Sequence, residues 1–242
     1  MPDSRASGLA VAPDAVIVRG RVSSGEMSYA EWAVAGLPAG GEPPARDTIV
    51  RISGYAGRPP FVVAQIRVVA GGVLVRSQVA ASTATDAVDR AVAGMRARLD
   101  RLRRGAPGGT RPPLRACGPP PELVAASAGP ARLVRIKECR LAVRPPAAAA
   151  FTMDLRDYPF HLFTEAATRR DGVVHTDGGT GYRVLEEGPA LDVPAAVDAL
   201  GSAPGRPFLF FTDPATGRGR VLYRRYDGNV ALIRPRAERS RG

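Results

Sequence analysis

The chain has 242 residues, a formal net charge of +11 at pH 7 and a pI of about 10.8. An apolar fraction of 45% is sufficient for folded cores, while 27 Gly and 23 Pro favour several compact units over one long sheet. No apolar run approaches the roughly 20 residues of a membrane span and no signal-peptide pattern opens the chain. We therefore expect a cytoplasmic protein without a membrane partner, whose first candidate partner is a polyanion.

Residues 1–13 are predicted to be a disordered leader, and residues 14–104 a domain with the order strand, helix, three strands, helix. β-Branched alternation predicts the strands, while Pro38 ends the first helix and Ser82 or Thr83 caps the second, which runs to about Arg104. The predicted elements before this last helix are Ala15–Val22, Glu26–Leu37, Thr48–Ser53, Phe61–Val69 and Val73–Ala80.

Alternation along these strands places apolar and cationic side chains on opposite faces of the predicted sheet. The apolar face holds Val16, Val18, Val50, Ile52, Val62, Ile66 and Val68. The open face, beside an Arg-rich helix, forms a cationic surface without an aromatic platform, which favours backbone recognition of structured RNA. The candidate RNA-binding residues are Arg19, Arg21, Arg51, Arg67, Arg76, Arg90, Arg96, Arg98, Arg101, Arg103 and Arg104.

Residues 105–130 are rich in Pro and Gly and are predicted to be a flexible linker, so that the two halves of the chain can engage sites far apart. Beyond it, Pro159–Leu185 and Pro207–Ile233 align without a gap at an offset of 48 residues. This repeat predicts two tandem small α+β domains, mostly β, at 131–188 and 189–236, with a basic tail at 237–242.

The predicted elements of this half begin with a strand, and each repeat adds a helix and three strands. The second repeat lacks an obvious first strand before its helix. The predicted elements are Leu133–Cys139, Pro146–Met153, Phe160–Thr164, Gly172–Thr176, Gly181–Glu186, Pro194–Leu200, Phe208–Thr212, Arg220–Arg225 and Asn229–Ile233.

Both halves resemble the long-form ribosome hibernation-promoting factors, also called ribosome-associated inhibitors or sigma-54 modulation proteins. In the first half the resemblance rests on the element order and on Thr85-Asp86-Ala87-Val88-Asp89-Arg90-Ala91. In the second half it rests on Val134-Arg135-Ile136-Lys137, Phe211-Thr212-Asp213, Tyr223-Arg224-Arg225, Asp227-Gly228-Asn229 and Leu232-Ile233-Arg234-Pro235. The two C-terminal domains are similar to those of the actinobacterial dormancy or hypoxia type.

The resemblance implies an α+β protein whose N-terminal domain has a double-stranded-RNA-binding type of fold. It implies binding at the decoding region of the small ribosomal subunit and inhibition of translation under stress or dormancy. In the family, C-terminal domains from two ribosomes pair, so we expect the tandem copies to pair within one chain on single ribosomes, with a second ribosomal contact through the pair left open. The candidate pairing residues are Phe160, Leu162, Phe163, Phe208, Phe210, Tyr223, Arg224 and Arg225.

No enzyme, cofactor, small-molecule substrate or metal site is expected. The chain holds only two His and two Cys, Cys117 and Cys139, which we interpret as free thiols, and no catalytic set of residues stands out. Two alternatives remain open at this point. One is a generic RNA-binding stress protein or transcription modulator, and the other is a non-RNA interaction protein built on the tandem modules.

Overall fold

A computed structural model describes residues 13–37, 45–56, 59–105, 131–176 and 181–236. The predicted leader up to residue 12, most of the linker, the basic tail and Cys117 lie outside these residues. The chain divides into two compact units. The first unit contains the described residues up to Gly105 together with Asp154–Asp157, and the second contains the other described residues from Ala131 onward.

The first unit is a four-stranded sheet with two helices, in the order predicted from the sequence. The sheet order is β1-β2-β3-β4, with β1 parallel to β2 and the other pairs antiparallel. Its elements are β1 (Ala15–Arg19), α1 (Ser24–Ala35), β2 (Ala45–Tyr55), β3 (Phe61–Ala70), β4 (Val73–Ala81) and α2 (Ala84–Arg103).

Local chemistry explains where these elements begin and end. Ser23 and Glu26 form a capping box at the start of α1, and the Thr83 side chain accepts from the amide of Asp86 at the start of α2. β1 ends three residues earlier than predicted because Gly20 adopts a positive φ of 75°. A Cβ at Gly20 would lie 2.5 Å from the Gly54 carbonyl oxygen, so the close approach also requires glycine.

The apolar face of this sheet packs under both helices, as the alternation predicts. Val50, Ile52, Ile66 and Val68 are buried in one core with the apolar stripe of α2. That stripe contributes Ala87, Val88, Ala91, Val92, Met95 and Leu99. The opposite face of the sheet, which carries the predicted arginines, is therefore left without a helix from this unit.

The second unit contains two four-stranded sheets, ordered β6-β7-β8-β9 and β10-β11-β12-β5. The predicted strands and helices are present, and the structure adds the two-residue strand β6. The elements are β5 (Leu133–Cys139), β6 (Val143–Arg144), α3 (Pro146–Leu155), β7 (Phe160–Glu165), β8 (Asp171–Thr176), β9 (Tyr182–Leu185), α4 (Val193–Gly201), β10 (Phe208–Thr212), β11 (Gly219–Arg224) and β12 (Val230–Pro235). The last two residues of α3, Asp154 and Leu155, belong to the first unit.

Three apolar clusters show that this unit is layered as helix, sheet, sheet, helix. One cluster joins α3 to the sheet of the first repeat, and another joins α4 to the sheet of the second repeat. The third lies between the inner faces of the two sheets and includes Phe160 and Phe210. Each sheet is therefore covered by its own helix on one face and by the other repeat on its second face.

Strand β5 precedes the first repeat in sequence but lies in the sheet of the second. It runs parallel to β12, with Ile136 opposite Leu232 and Lys137 opposite Ile233. The second repeat, which lacks an obvious first strand of its own, thus receives one from the chain before the first repeat. The domain limits 131–188 and 189–236 remain predictions. Strand β5 lies within the first of these ranges but forms its hydrogen bonds with β12 in the second.

Candidate nucleic-acid interface and pairing surface

The strand register brings four of the predicted strand arginines and several neutral polar side chains together on the open face of the first sheet. Arg51 lies opposite Gln65, and Gln65 lies opposite Gln78, so these three form a row across β2, β3 and β4. Arg67 and Arg76 are neighbours in the next row. At the other end of the face, Arg19 of β1 lies opposite Ser53 of β2.

The Arg67 and Arg76 pair places two like charges directly across a strand pair, an arrangement that costs free energy unless an anion or polar group compensates it. The Arg76 guanidinium donates to the carbonyl oxygens of Arg156 and Asp157 at 3.2 Å each and to the Gln78 side chain. Arg67 is exposed, as is Arg19. These two guanidinium groups are the most accessible of the predicted strand arginines on this face.

Two of the predicted helix arginines hold buried ion pairs inside the first unit. Arg98 pairs with Asp157 and Arg101 with Asp154, and the two arginine side chains are only 4% and 11% exposed. Burial raises the pKa of the Asp157 carboxyl, although the Arg98 charge opposes that shift. The structure thus gives Arg98 and Arg101 a packing role that their helical spacing does not indicate, and their RNA contact stays a prediction.

Of the other predicted arginines of the first unit, Arg51 and Arg76 are half-buried and the rest are exposed. Arg90 forms a surface ion pair with Asp86 at 3.4 Å, and Arg103 pairs with Asp100. Arg96 donates to the Gly36 carbonyl oxygen at 3.0 Å. Arg21 and Arg104 were predicted to lie within a strand and a helix. In the structure Arg21 follows the end of β1, and Arg104 is the C-cap of α2.

The pairing surface of the second unit is aromatic and has approximate twofold symmetry. The rings of Phe160 and Phe208, which are equivalent at the offset of 48, lie 4.7 Å apart between centroids. Phe160 contacts Tyr223 at 5.7 Å, and Phe208 contacts His175, the equivalent of Tyr223, at 5.5 Å. The two repeats therefore exchange matching contacts across one interface, as the two halves of a symmetric dimer do.

Leu162 and Phe210 also lie in this interface, whereas three other candidate pairing residues lie elsewhere. Phe163 points to the opposite face of β7 and is buried against α3, because successive side chains alternate along a strand. Arg224 donates to the carbonyl oxygens of Leu200 and Ala203 at the end of α4. Arg225 pairs within its own hairpin with Asp227, at 2.6 Å.

The polar contact at the edge of this interface is one that the sequence analysis missed. The Asp171 carboxylate of the first repeat accepts from Arg218 Nε at 2.7 Å, the Gly219 amide at 3.0 Å and the Thr164 hydroxyl at 2.8 Å. The Asp171 side chain is 5% exposed. Its counterpart at the offset of 48 is Gly219, so the aligned sequences show a carboxylate in the first repeat that the second repeat lacks.

The structure also bears on metal binding, on Cys139 and on membrane-spanning helices. Among the described residues, no group of His, Cys, Asp and Glu is arranged to hold a metal ion. The Cys139 sulfur lies 3.7 Å from the Arg234 carbonyl oxygen, to which its thiol donates. None of the helices in the described ranges is both long and apolar enough to cross a bilayer.

Comparison with known proteins gives a family match for part of the second unit. Residues 129–184 match the family model described as the C terminus of Sigma 54 modulation/S30EA ribosomal proteins. This segment runs from β5 through β9, so in this chain its first strand lies in the sheet of the second repeat. Over these residues, the match confirms the resemblance to hibernation-promoting factors that the sequence indicated.

Curated relatives in two strains of Mycobacterium tuberculosis are named dormancy associated translation inhibitor, and each is 39% identical over 132 residues. The match covers 43% of this chain and 48% of each relative, so the chain spans about half the length of the curated relatives it matches. A crystal structure of the Thermus thermophilus Protein Y N-terminal domain matches 38% of this chain and all of that domain. Its identity is 23% and its TM-score 0.33.

Proposed function

We propose that this chain, whose residues 129–184 belong to the Sigma 54 modulation/S30EA ribosomal protein C-terminal family, is a ribosome hibernation factor that inhibits translation under stress or dormancy. The name of the curated relatives supports the activity. The arginine-bearing open face of the first sheet supports contact with ribosomal RNA, because planar guanidinium groups suit phosphate oxygens. We place this contact at the decoding region of the small subunit, where it would exclude messenger and transfer RNA.

The second part of the proposal is that one chain acts on a single ribosome with its two repeats paired. The observation that carries it is the pseudo-twofold interface between Phe160 of the first repeat and Phe208 of the second, within one chain. A tethered partner has a high effective concentration and outcompetes an identical surface on another chain. The crossing of β5 into the second sheet reinforces this pairing, because only residues 140–142 connect β5 to β6 of the first sheet and they limit how far the repeats can separate.

The difference between Asp171 and Gly219 favours pairing of unlike repeats. A Cβ at Gly219 would lie 2.8 Å from the Asp171 Cβ and 2.8 Å from the Phe210 ring. Two first repeats from different chains would place Asp171 against its own copy, which adds like-charge repulsion to that overlap. Two second repeats would leave Arg218 without the Asp171 carboxylate. Only a first repeat paired with a second repeat places Asp171 beside a glycine, which leaves room for it, and beside Arg218, which neutralises its charge.

Substitution of Gly219→Asp is expected to lower the free energy of unfolding of the second unit by about 3 kcal/mol, since it overpacks the interface and places two carboxylates together. The exchange variant Asp171→Gly/Gly219→Asp is expected to recover at least half of that loss, because Arg170 occupies the position equivalent to Arg218. Denaturant unfolding of the three proteins measures both effects. A double variant no more stable than Gly219→Asp would contradict the pseudo-symmetric account.

The proposed activity is tested by cell-free translation together with co-sedimentation of the pure protein and ribosomes. We expect inhibition at protein concentrations close to those of the ribosomes, with the protein recovered in the ribosome fraction. A generic RNA-binding protein would instead bind unrelated structured RNA equally well and be removed from ribosomes by that competitor. Retention of ribosome binding and inhibition in excess competitor RNA distinguishes the proposed function from this alternative.

A further inference from the structure

A cationic cleft lies in the second unit where the two repeats meet, beside the Asp171 contact. Its volume is about 970 Å³. The turns that follow β7 and β10 both reach it, so equivalent parts of the two repeats form its walls. Its charged lining includes Arg140, Arg169, Arg170, Arg218, Arg236 and Asp171.

The cleft has a surplus of positive charge. Five arginines line it against two carboxylates, and one of those, Asp171, is already engaged by Arg218. Arg140, Arg169 and Arg236 are exposed, and their side chains form no hydrogen bond or ion pair with another of the described residues. Three guanidinium groups are thus available to an anion at one site.

The carboxylates of the two turns beside the cleft, Glu165 and Asp213, form hydrogen bonds within their own turns. Glu165 accepts from the backbone amides of Ala167 and Thr168 at 2.6 and 2.7 Å. The Thr168 amide is the main cause that holds the pKa of the Glu165 carboxyl below its usual value. In the second repeat Asp213 accepts from the Thr216 hydroxyl in the equivalent turn. These two carboxylates therefore stabilise their turns and do not neutralise the arginines that line the cleft.

One of the three available arginines stands in a backbone conformation that disfavours it. Arg169 has a φ of 60°, in the left-handed region, and its equivalent in the second repeat is Gly217 with a φ of 65°. Glycine adopts this conformation without strain, whereas arginine does not. The first repeat thus places a cation at the cleft where the second repeat has the residue that suits the turn.

We propose that this cleft binds the phosphodiester backbone of RNA. Guanidinium groups recognise phosphate oxygens through paired N–H donors, and the absence of an aromatic ring from the described lining argues against base stacking. The apolar lining is limited to Leu141, Val143 and Pro235, too little to seat an acidic amphipathic segment of a protein. The proposal rests on the proposed function only in assigning this RNA to the ribosome, as a second contact.

The test uses the chain carrying Arg19→Glu, Arg21→Glu and Arg67→Glu, which reverses the charge of three exposed candidate RNA-binding residues of the first unit and so weakens binding there. A fluorescent single-stranded oligoribonucleotide is titrated by anisotropy against this protein and against one that also carries Arg140→Gln, Arg169→Gly and Arg236→Gln. We expect the cleft variant to bind at least about 10-fold more weakly and the slope of log affinity against log salt to fall by about 2. The amide resonance of Gly219 in a ¹⁵N-labelled sample localises binding to the cleft.

Arg169→Gly alone is the matched control for folding, because it introduces the residue of the second repeat at a positive φ. Its thermal midpoint is expected to be equal to or above that of the parent while its RNA affinity falls. Unchanged affinity in the triple cleft variant would overturn the proposal. Equal binding of an oligoglutamate of the same charge would also overturn it and assign the cleft to an acidic protein segment. Translation assays of the unsubstituted chain test the proposed function separately.

Discussion

Replacement of Arg19, Arg21 and Arg67 by glutamate is expected to reduce ribosome affinity by about 10³-fold or more and to abolish inhibition of cell-free translation. Each of these residues is exposed. A hydrogen bond to a charged group contributes roughly 1.5–3 kcal/mol, so the loss of three phosphate contacts accounts for at least three decades of affinity. The slope of log affinity against log salt is expected to fall by about 2 to 3.

The variant leaves out the predicted residues Arg98 and Arg101, because their buried ion pairs would make any loss of binding a loss of folding. A matched control carries the same change of charge in the second unit, as Arg132→Glu, Arg183→Glu and Arg206→Glu. Those positions are exposed and lie outside the cleft. Equal loss of inhibition in the control would show that net charge alone drives binding, against the assignment of the open sheet face.

Substitution of Phe160→Ala is expected to lower the free energy of unfolding of the second unit by about 3 to 5 kcal/mol. Phe160 is 7% exposed, and its ring packs against both Phe208 and Tyr223 of the other repeat. The loss should therefore appear as faster amide hydrogen exchange in β10 and β11 as well as in β7. Strands β2 to β4 of the first unit should keep their protection.

Phe163→Ala provides the matched control for this substitution. Phe163 is fully buried on the same strand but faces α3 within the first repeat. Its loss is expected to raise exchange in α3 and β8 more than in β10 and β11. If Phe160→Ala left exchange in β10 and β11 unchanged, the contacts between the repeats would contribute nothing to stability and the pairing account would fail.

Most elements of the fold were predictable because their signals are local. Alternation and helical spacing predicted every strand and helix of the first unit, and the apolar face that packs under the helices. The two-residue strand β6 carries too little pattern to be found. The partner of β5 was also beyond reach, because a strand's own residues indicate its faces but not which of two similar sheets will hydrogen-bond to it.

The candidate site was predictable to the extent that it depends on alternation within a strand. Arg51, Arg67 and Arg76 fall on the open face as expected, and Phe160 shares the inner face of β7 with Leu162. The roles of Arg98 and Asp171 depend instead on partners 59 and 47 residues away along the chain. Such contacts follow from tertiary packing, which periodicity does not encode.

Sedimentation of ribosomes with the pure protein through a sucrose gradient tests the central claim most directly. If the two repeats pair within one chain, the protein will migrate with single ribosomes and no ribosome-dimer peak will form at any ratio of protein to ribosome. Chemically cross-linked ribosome dimers on a parallel gradient mark the position at which a dimer peak would be detected. A clear ribosome-dimer peak with the unmodified protein would contradict the account.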